Sequence, residues 1–123
     1  MESYSGTAVV GEATLGVRVI RTGSRSERVV IEGALDLRSV RQFEALIEEE
    51  LSAAAEIELD LSGIAFMDAA GIHALLAAAV RADEHGSALS IGGSLSNQVK
   101  RLLGLAGVLE SLPLTDGAAP RNP

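Results

Sequence analysis

The chain has 123 residues, 47% of them hydrophobic and none of them cysteine, which predicts one domain with a packed core and excludes disulfides and thiolate metal sites. The formal net charge of −7 argues against nucleic acid and against an anionic membrane surface, because both are bound through Lys and Arg. No apolar run approaches the ~20 residues of a membrane-spanning helix and the first residues lack a signal-peptide pattern, so we expect a cytoplasmic protein without membrane insertion.

Composition at the two ends predicts how the chain is divided. Residues 1–12 are small and polar and read as a flexible N-terminal arm, with a possible short strand at 8–10. Residues 116–123 contain one glycine and two prolines and read as a disordered C-terminal tail. The domain itself is expected to span 13–115.

The hydrophobic period changes along this domain. Alternating apolar residues at 15–20 and an apolar run within 27–35 predict a hairpin. Spacings of three and four from Val40 to Ala54 then predict an amphipathic helix. The remaining expected elements are a strand at 57–61, a helix at 69–85 stopped by Gly86, a strand at 88–91, a helix at 96–104 and a short strand or turn at 109–112. In the second helix we expect these side chains to face inward: Ile72, Leu75, Leu76, Ala79 and Val80. Strands separated by helices predict an α/β fold with parallel pairing.

Two aspartates follow strands and precede helices. Asp68 lies where the second helix begins, where its carboxylate can accept from free N–H groups of the first turn. Asp36 precedes the first helix and is expected to act as its N-cap, with Ser39 and Gln42 forming a capping box. Gly71 is unfavourable in a first helical turn, which indicates a close approach of backbone or of a partner.

Three stretches of the sequence resemble the STAS domains, in particular bacterial anti-sigma factor antagonists, over about 15–112. Residues 33–36 (Gly-Ala-Leu-Asp) resemble the family signature Gly-Glu-Leu-Asp, with Ala34 in the place of Glu. Residues 60–72 resemble the central motif, which usually ends Asp-Ser-Ser-Gly followed by Ile or Leu. Residues 99–108 resemble the third helix and its following turn. The resemblance implies a STAS fold, with a four- to five-stranded mixed sheet and helices packed mainly on one side.

The same resemblance implies docking to an anti-sigma factor of the serine-kinase type, which frees a sigma factor. It implies no catalytic residue, no metal and no cofactor. The family's phosphoacceptor serine corresponds to Ala69, which has no hydroxyl, so the usual phosphorylation switch cannot operate there. The partner-binding residues implied are Asp36, Asp68, Ala69, Ala70, Gly71, Ile72 and His73.

Two other functions are compatible with the same residues. A divergent STAS scaffold or transport-accessory subunit would use the same fold with a different partner. A small-ligand or nucleotide sensor is a further alternative, because residues 92–94 (Gly-Gly-Ser) precede a helix. His73 and His85 are poor metal ligands, since twelve residues on one helix separate them by about 18 Å.

Overall fold

The computed structural model describes residues 4–7 and 15–115 of the chain. Five strands and three α-helices occur in this part. The strands are β1 (Tyr4–Thr7), β2 (Gly16–Gly23), β3 (Ser26–Leu35), β4 (Glu56–Met67) and β5 (Ala88–Gly92). The helices are α1 (Val40–Ala53), α2 (Ala69–His85) and α3 (Asn97–Ala106), followed by a single 3₁₀ turn at Leu109–Ser111.

One mixed sheet holds all five strands in the order β1-β2-β3-β4-β5. β1, β2 and β3 pair antiparallel, and the predicted hairpin is β2–β3, with Val19 opposite Val29. β3, β4 and β5 pair parallel, because α1 and α2 return the chain to the same end of the sheet. The α/β prediction with a mixed sheet of four to five strands is therefore confirmed.

The core lies between one face of the sheet and the helices. Alternate residues of β3 and β4 are buried there, among them Val29, Ile31 and Leu59. The opposite phase of the same strands carries half-buried charged side chains such as Arg28 and Asp60. This alternation is the expected pattern for a sheet covered mainly on one face.

The helix α2 contacts the core through most of the predicted stripe, with Leu76 and Ala79 half-buried. Ile72 and Leu75 are buried as expected, but Val80 is 57% exposed. The buried stripe continues through Ala78 and Ala82, which follow Leu75 at the spacings of three and four that define one helix face. The predicted inward position of Val80 is therefore wrong.

Residues at the helix ends satisfy the free backbone groups of α2 and α3. Gly86 ends α2 in the left-handed conformation at φ 72°, and its N–H donates to the carbonyls of Ala82 and Asp83. This bears out the predicted stop, since glycine adopts positive φ without steric cost. Ser96 is the N-cap of α3 and its Oγ accepts from Val99 N at 3.2 Å.

The last described residues lie along the edge of β5. Leu114 forms a bridge with Ile91, whose N–H donates to Pro113 O and whose carbonyl accepts from Thr115 N, both at 2.8 Å. The predicted element at 109–112 is thus a 3₁₀ turn that leads into this bridge. β1 lies within the segment predicted as an arm, whereas the predicted strand at 8–10 and the tail at 116–123 fall outside the described residues.

Among the helices of the described ranges, none has both the length and the apolar character needed to cross a membrane.

Candidate functional site

The carboxyl ends of β3 and β4 bring two loops together. Leu35 pairs with Met67 as the last residues of these parallel strands. Asp36 and Asp68 follow them directly, so the two aspartates predicted from the sequence lie at one edge of the sheet. Loops at this edge of a parallel sheet are where binding sites collect in α/β proteins.

Asp68 joins the start of α2 to the loop before α1. It is the N-cap of α2, as predicted, and its Oδ1 accepts from Gly71 N at 3.2 Å. Its Oδ2 accepts from Leu37 N at 3.3 Å. Both carboxylate oxygens therefore serve internal hydrogen bonds that fix the two loops against each other.

Asp36 closes a turn and does not cap the helix α1. Its Oδ1 accepts from Arg38 N at 3.0 Å and from Ser39 N at 3.3 Å, which is the geometry of an aspartate turn. Ser39, the residue before α1, makes no side-chain cap. Its hydroxyl donates to Ala34 O at 2.7 Å and accepts from Asp36 N at 3.1 Å.

The predicted capping box is therefore wrong. Gln42 uses its side chain elsewhere: Oε1 accepts from Leu15 N at 2.8 Å and Nε2 donates to Leu15 O at 3.1 Å. These two bonds satisfy the buried backbone of the residue before β2. The Gln42 side chain therefore pairs with the buried backbone groups of Leu15 and is not available to cap α1.

Gly71 and Ile72 lie beneath the surface. A Cβ built on Gly71 would overlap Leu35 O and lie 2.7 Å from Met67 Cγ. Glycine is thus required for an approach within the chain, between the first turn of α2 and the end of β3. Ile72 is only 6% exposed. Both residues shape the site from below and present little to a partner.

The exposed part of the site is mostly apolar. Ala69 and His73 are exposed on α2, and Ala70 is half-buried. Leu37 is 73% exposed and Phe66 is 46% exposed at the end of β4. Together with the two aspartates these residues form the loop–helix surface: Asp36, Leu37, Phe66, Asp68, Ala69, Ala70 and His73.

Sequence patterns did not single out Leu37 or Phe66. Leu37 lies in a turn, outside any apolar period. Phe66 follows a strand segment in which alternation is interrupted. A signal was nevertheless present for Phe66, since it is one of three aromatic residues in the chain.

The central motif, residues 60–72, begins with a second aspartate whose carboxylate is held by hydrogen bonds. Asp60 Oδ1 accepts from Ser62 N at 3.0 Å and from Ser62 Oγ at 2.7 Å, and its Oδ2 lies 3.4 Å from Arg28 Nη2. Burial by itself would raise the pKa of Asp60, but these hydrogen bonds and the charges of Arg28 and Arg18 hold the pKa below its ordinary value. Asp60 is therefore a charged structural group of the outer sheet face.

Comparisons with known proteins agree with this architecture. A family model described as "Mlab, STAS domain" matches residues 19–114. An anti-sigma factor antagonist from Mycobacterium paratuberculosis is similar with a TM-score of 0.70 at 17% identity, over 83% of this chain and 86% of that chain. The anti-sigma factor antagonist SpoIIAA in its unphosphorylated form gives 0.64 at 17% identity, over 80% and 87%.

Transport proteins share the same fold. A sulfate transporter family protein from Wolinella succinogenes is similar with a TM-score of 0.65 at 19% identity, over 80% of this chain and 85% of that chain. Identities this low establish the fold alone. No curated protein matches the chain. The match of the family model over most of the length shows that the chain belongs to the STAS domain family.

Proposed function

We propose that this chain is a non-enzymatic docking module of the anti-sigma factor antagonist type, acting in the cytoplasm. It binds a serine-kinase-type anti-sigma factor through the loop–helix surface and so frees a sigma factor. The observation that carries the proposal is the position of Ala69. It is exposed directly after the Asp68 N-cap, on the first turn of α2, where STAS antagonists that it resembles carry a phosphorylated serine.

Ala69 has no hydroxyl, so phosphorylation at this position cannot regulate the docking. A phosphate on that turn would add about −1.5 to −2 charges beside Asp68 and oppose docking. Alanine cannot accept a phosphate, and it is small and favours helix. We infer that the surface stays competent for docking and that its regulation lies elsewhere in the circuit, for example in the amount of either protein.

The test uses a purified serine-kinase-type anti-sigma factor from the same genome and isothermal titration calorimetry. We expect wild-type binding to be unchanged by Mg-ATP. The Ala69→Ser variant should become phosphorylated and be released, and Ala69→Asp should lose at least about tenfold in affinity. Ala77→Asp is the matched control, because Ala77 is exposed two turns further along α2. Equal binding by the folded Ala69→Asp and Ala77→Asp variants would refute the surface assignment.

A second candidate is a scaffold or transport-accessory subunit. It is favoured by the family model's own description and by the similarity to a sulfate transporter family protein. In that case the same surface would bind a partner that is not a kinase, and Ala69→Ser would not be phosphorylated. Binding to a purified transport ATPase or permease domain from the same genome, with no binding to the anti-sigma factor, would decide for this candidate.

A further inference from the structure

The carboxylates of the loop–helix surface are already occupied. Asp68 accepts from Gly71 N and from Leu37 N. Asp36 accepts from the backbone of the turn that follows it. A carboxylate that already accepts two backbone hydrogen bonds has fewer lone pairs left for a basic partner. The two aspartates therefore offer few free acceptor positions to a basic partner.

Leu37 is the most prominent apolar group on the surface. Its side chain is 73% exposed. Its backbone is held, because its N–H donates to Asp68 Oδ2 and because Ser39 N donates to Asp36 O at 3.0 Å across the same turn. An apolar side chain on a braced turn loses little backbone entropy when it is buried by a partner.

We propose that Leu37 is the apolar anchor of the loop–helix surface and that the partner receives it in an apolar pocket and not in a basic groove. The inference rests on the proposed function, since it specifies the partner's chemistry at the same surface. Ala69 and Ala70 follow Asp68, which holds the backbone of Leu37, and their side chains carry no polar atoms. Asp68 then acts as a positioning residue for Leu37.

A matched control exists on α3. Leu105 is 80% exposed, so its removal deletes the same side chain from the same chain without touching the loop–helix surface. Leu37→Gln supplies a second comparison, because it keeps a side chain of similar length and removes its apolar character. Leu37→Met keeps both size and apolar character.

The experiment measures the affinity of these variants for the purified serine-kinase-type anti-sigma factor by calorimetry, at about 0.05 and 0.5 M salt. We expect Leu37→Ala and Leu37→Gln to weaken binding at least about tenfold, and Leu37→Met and Leu105→Ala to change it less than about threefold. Wild-type affinity should change less than about threefold between the two salt concentrations, since exposed charge pairs are screened and apolar contacts are not.

Three results would overturn the inference and leave the proposed function standing. The first is a Leu37→Ala variant that binds as tightly as the wild type. The second is a loss of affinity seen only in Leu105→Ala. The third is a steep fall of the wild-type chain's affinity as the salt concentration rises. Absence of any binding by the wild-type chain would reject the proposed function itself, and the assignment of Leu37 with it.

Discussion

The carboxylate of Asp68 accepts a hydrogen bond from the backbone N–H of Leu37, 31 residues away in the sequence, at 3.3 Å. The same carboxylate caps α2 through Gly71 N. One side chain thereby couples the start of a helix to the neighbouring loop. Stability of the domain and geometry of its candidate docking surface therefore depend on the same group.

Removing this carboxylate should destabilise the domain. Asp68→Ala deletes an N-cap and a loop contact, and we expect a loss of about 1 to 3 kcal/mol in the free energy of unfolding. Asp68→Asn keeps one acceptor oxygen and should lose less. Urea denaturation followed by circular dichroism measures both.

The control for Asp68 is Asp83→Ala, near the end of α2. Asp83 is exposed, and a negative charge close to a helix C-terminus is unfavourable, so its removal should change stability by no more than about 0.5 kcal/mol. Equal stability of Asp68→Ala and Asp83→Ala would contradict the bracing role.

Gly71 is expected to resist replacement although it lies in a helix. Alanine is normally preferred there by about 1 kcal/mol, but its Cβ would overlap Leu35 O at the end of β3. We expect Gly71→Ala to destabilise the domain by about 2 kcal/mol or more, as measured by thermal and urea unfolding.

A second helical glycine gives the opposite prediction. In α3, a Cβ at Gly104 would meet only Leu109 Cδ1, at 3.7 Å. Gly104→Ala should therefore stabilise the domain by about 0.5 to 1 kcal/mol. If both substitutions shift stability in the same direction, the close approach at Gly71 is not the reason for its glycine.

The sequence was sufficient for the architecture because hydrophobic periods are long and consistent in most elements. The prediction of strand ends from the sequence was wrong where a strand is irregular. Alternation predicts a strand that ends at Leu61, but β4 continues to Met67, with Leu61, Ile64 and Met67 buried at intervals of three. Register shifts between β3 and β4 accompany this interval. A bulged strand loses the alternation by which strands are recognised.

Only part of the candidate site could be predicted from the sequence. Asp68 as a helix cap follows from local chemistry, which is why it was predicted. The position of Leu37 beside Asp68 could be predicted only from the contact between the loop before α1 and the start of α2. That contact depends on the parallel pairing of Leu35 with Met67, and no pattern within either segment specifies it.

Glu27 and Glu50 form a buried acidic pair at the other end of β3. They are 6% and 9% exposed. Burial raises the pKa of Glu50 to about 8, together with a hydrogen bond to Glu27 and the negative charges of Glu27 and Glu49. The folded state therefore holds a proton that the unfolded state releases near the ordinary value of 4.5.

Stability should consequently fall with rising pH. A raised folded pKa means that the contribution is fully present below about 4.5 and is lost as the pH rises toward about 8. Glu50→Gln keeps a hydrogen-bonding group and cannot ionise, so its urea midpoint should exceed that of the wild type at pH 9 and change less from pH 5 to 9. Exposed Glu44→Gln is the control and should follow the wild-type profile. Parallel profiles for wild type and Glu50→Gln would show that Glu50 does not govern this pH range.

Gln42 is the last residue with a specific expected effect. Its amide pairs with both the N–H and the carbonyl of Leu15, a residue with 0% exposure. Gln42→Ala leaves two buried backbone groups without partners, and we expect it to cost about 1 to 3 kcal/mol. It should also accelerate amide exchange at Leu15, which a general loss of packing would not do selectively.

Gln98→Ala, at an exposed position of α3, should alter neither stability nor exchange at Leu15. If exchange at Leu15 is the same in both variants, the Gln42 amide does not hold the entry to β2, and Gln42 would then contribute only as a half-buried side chain of α1.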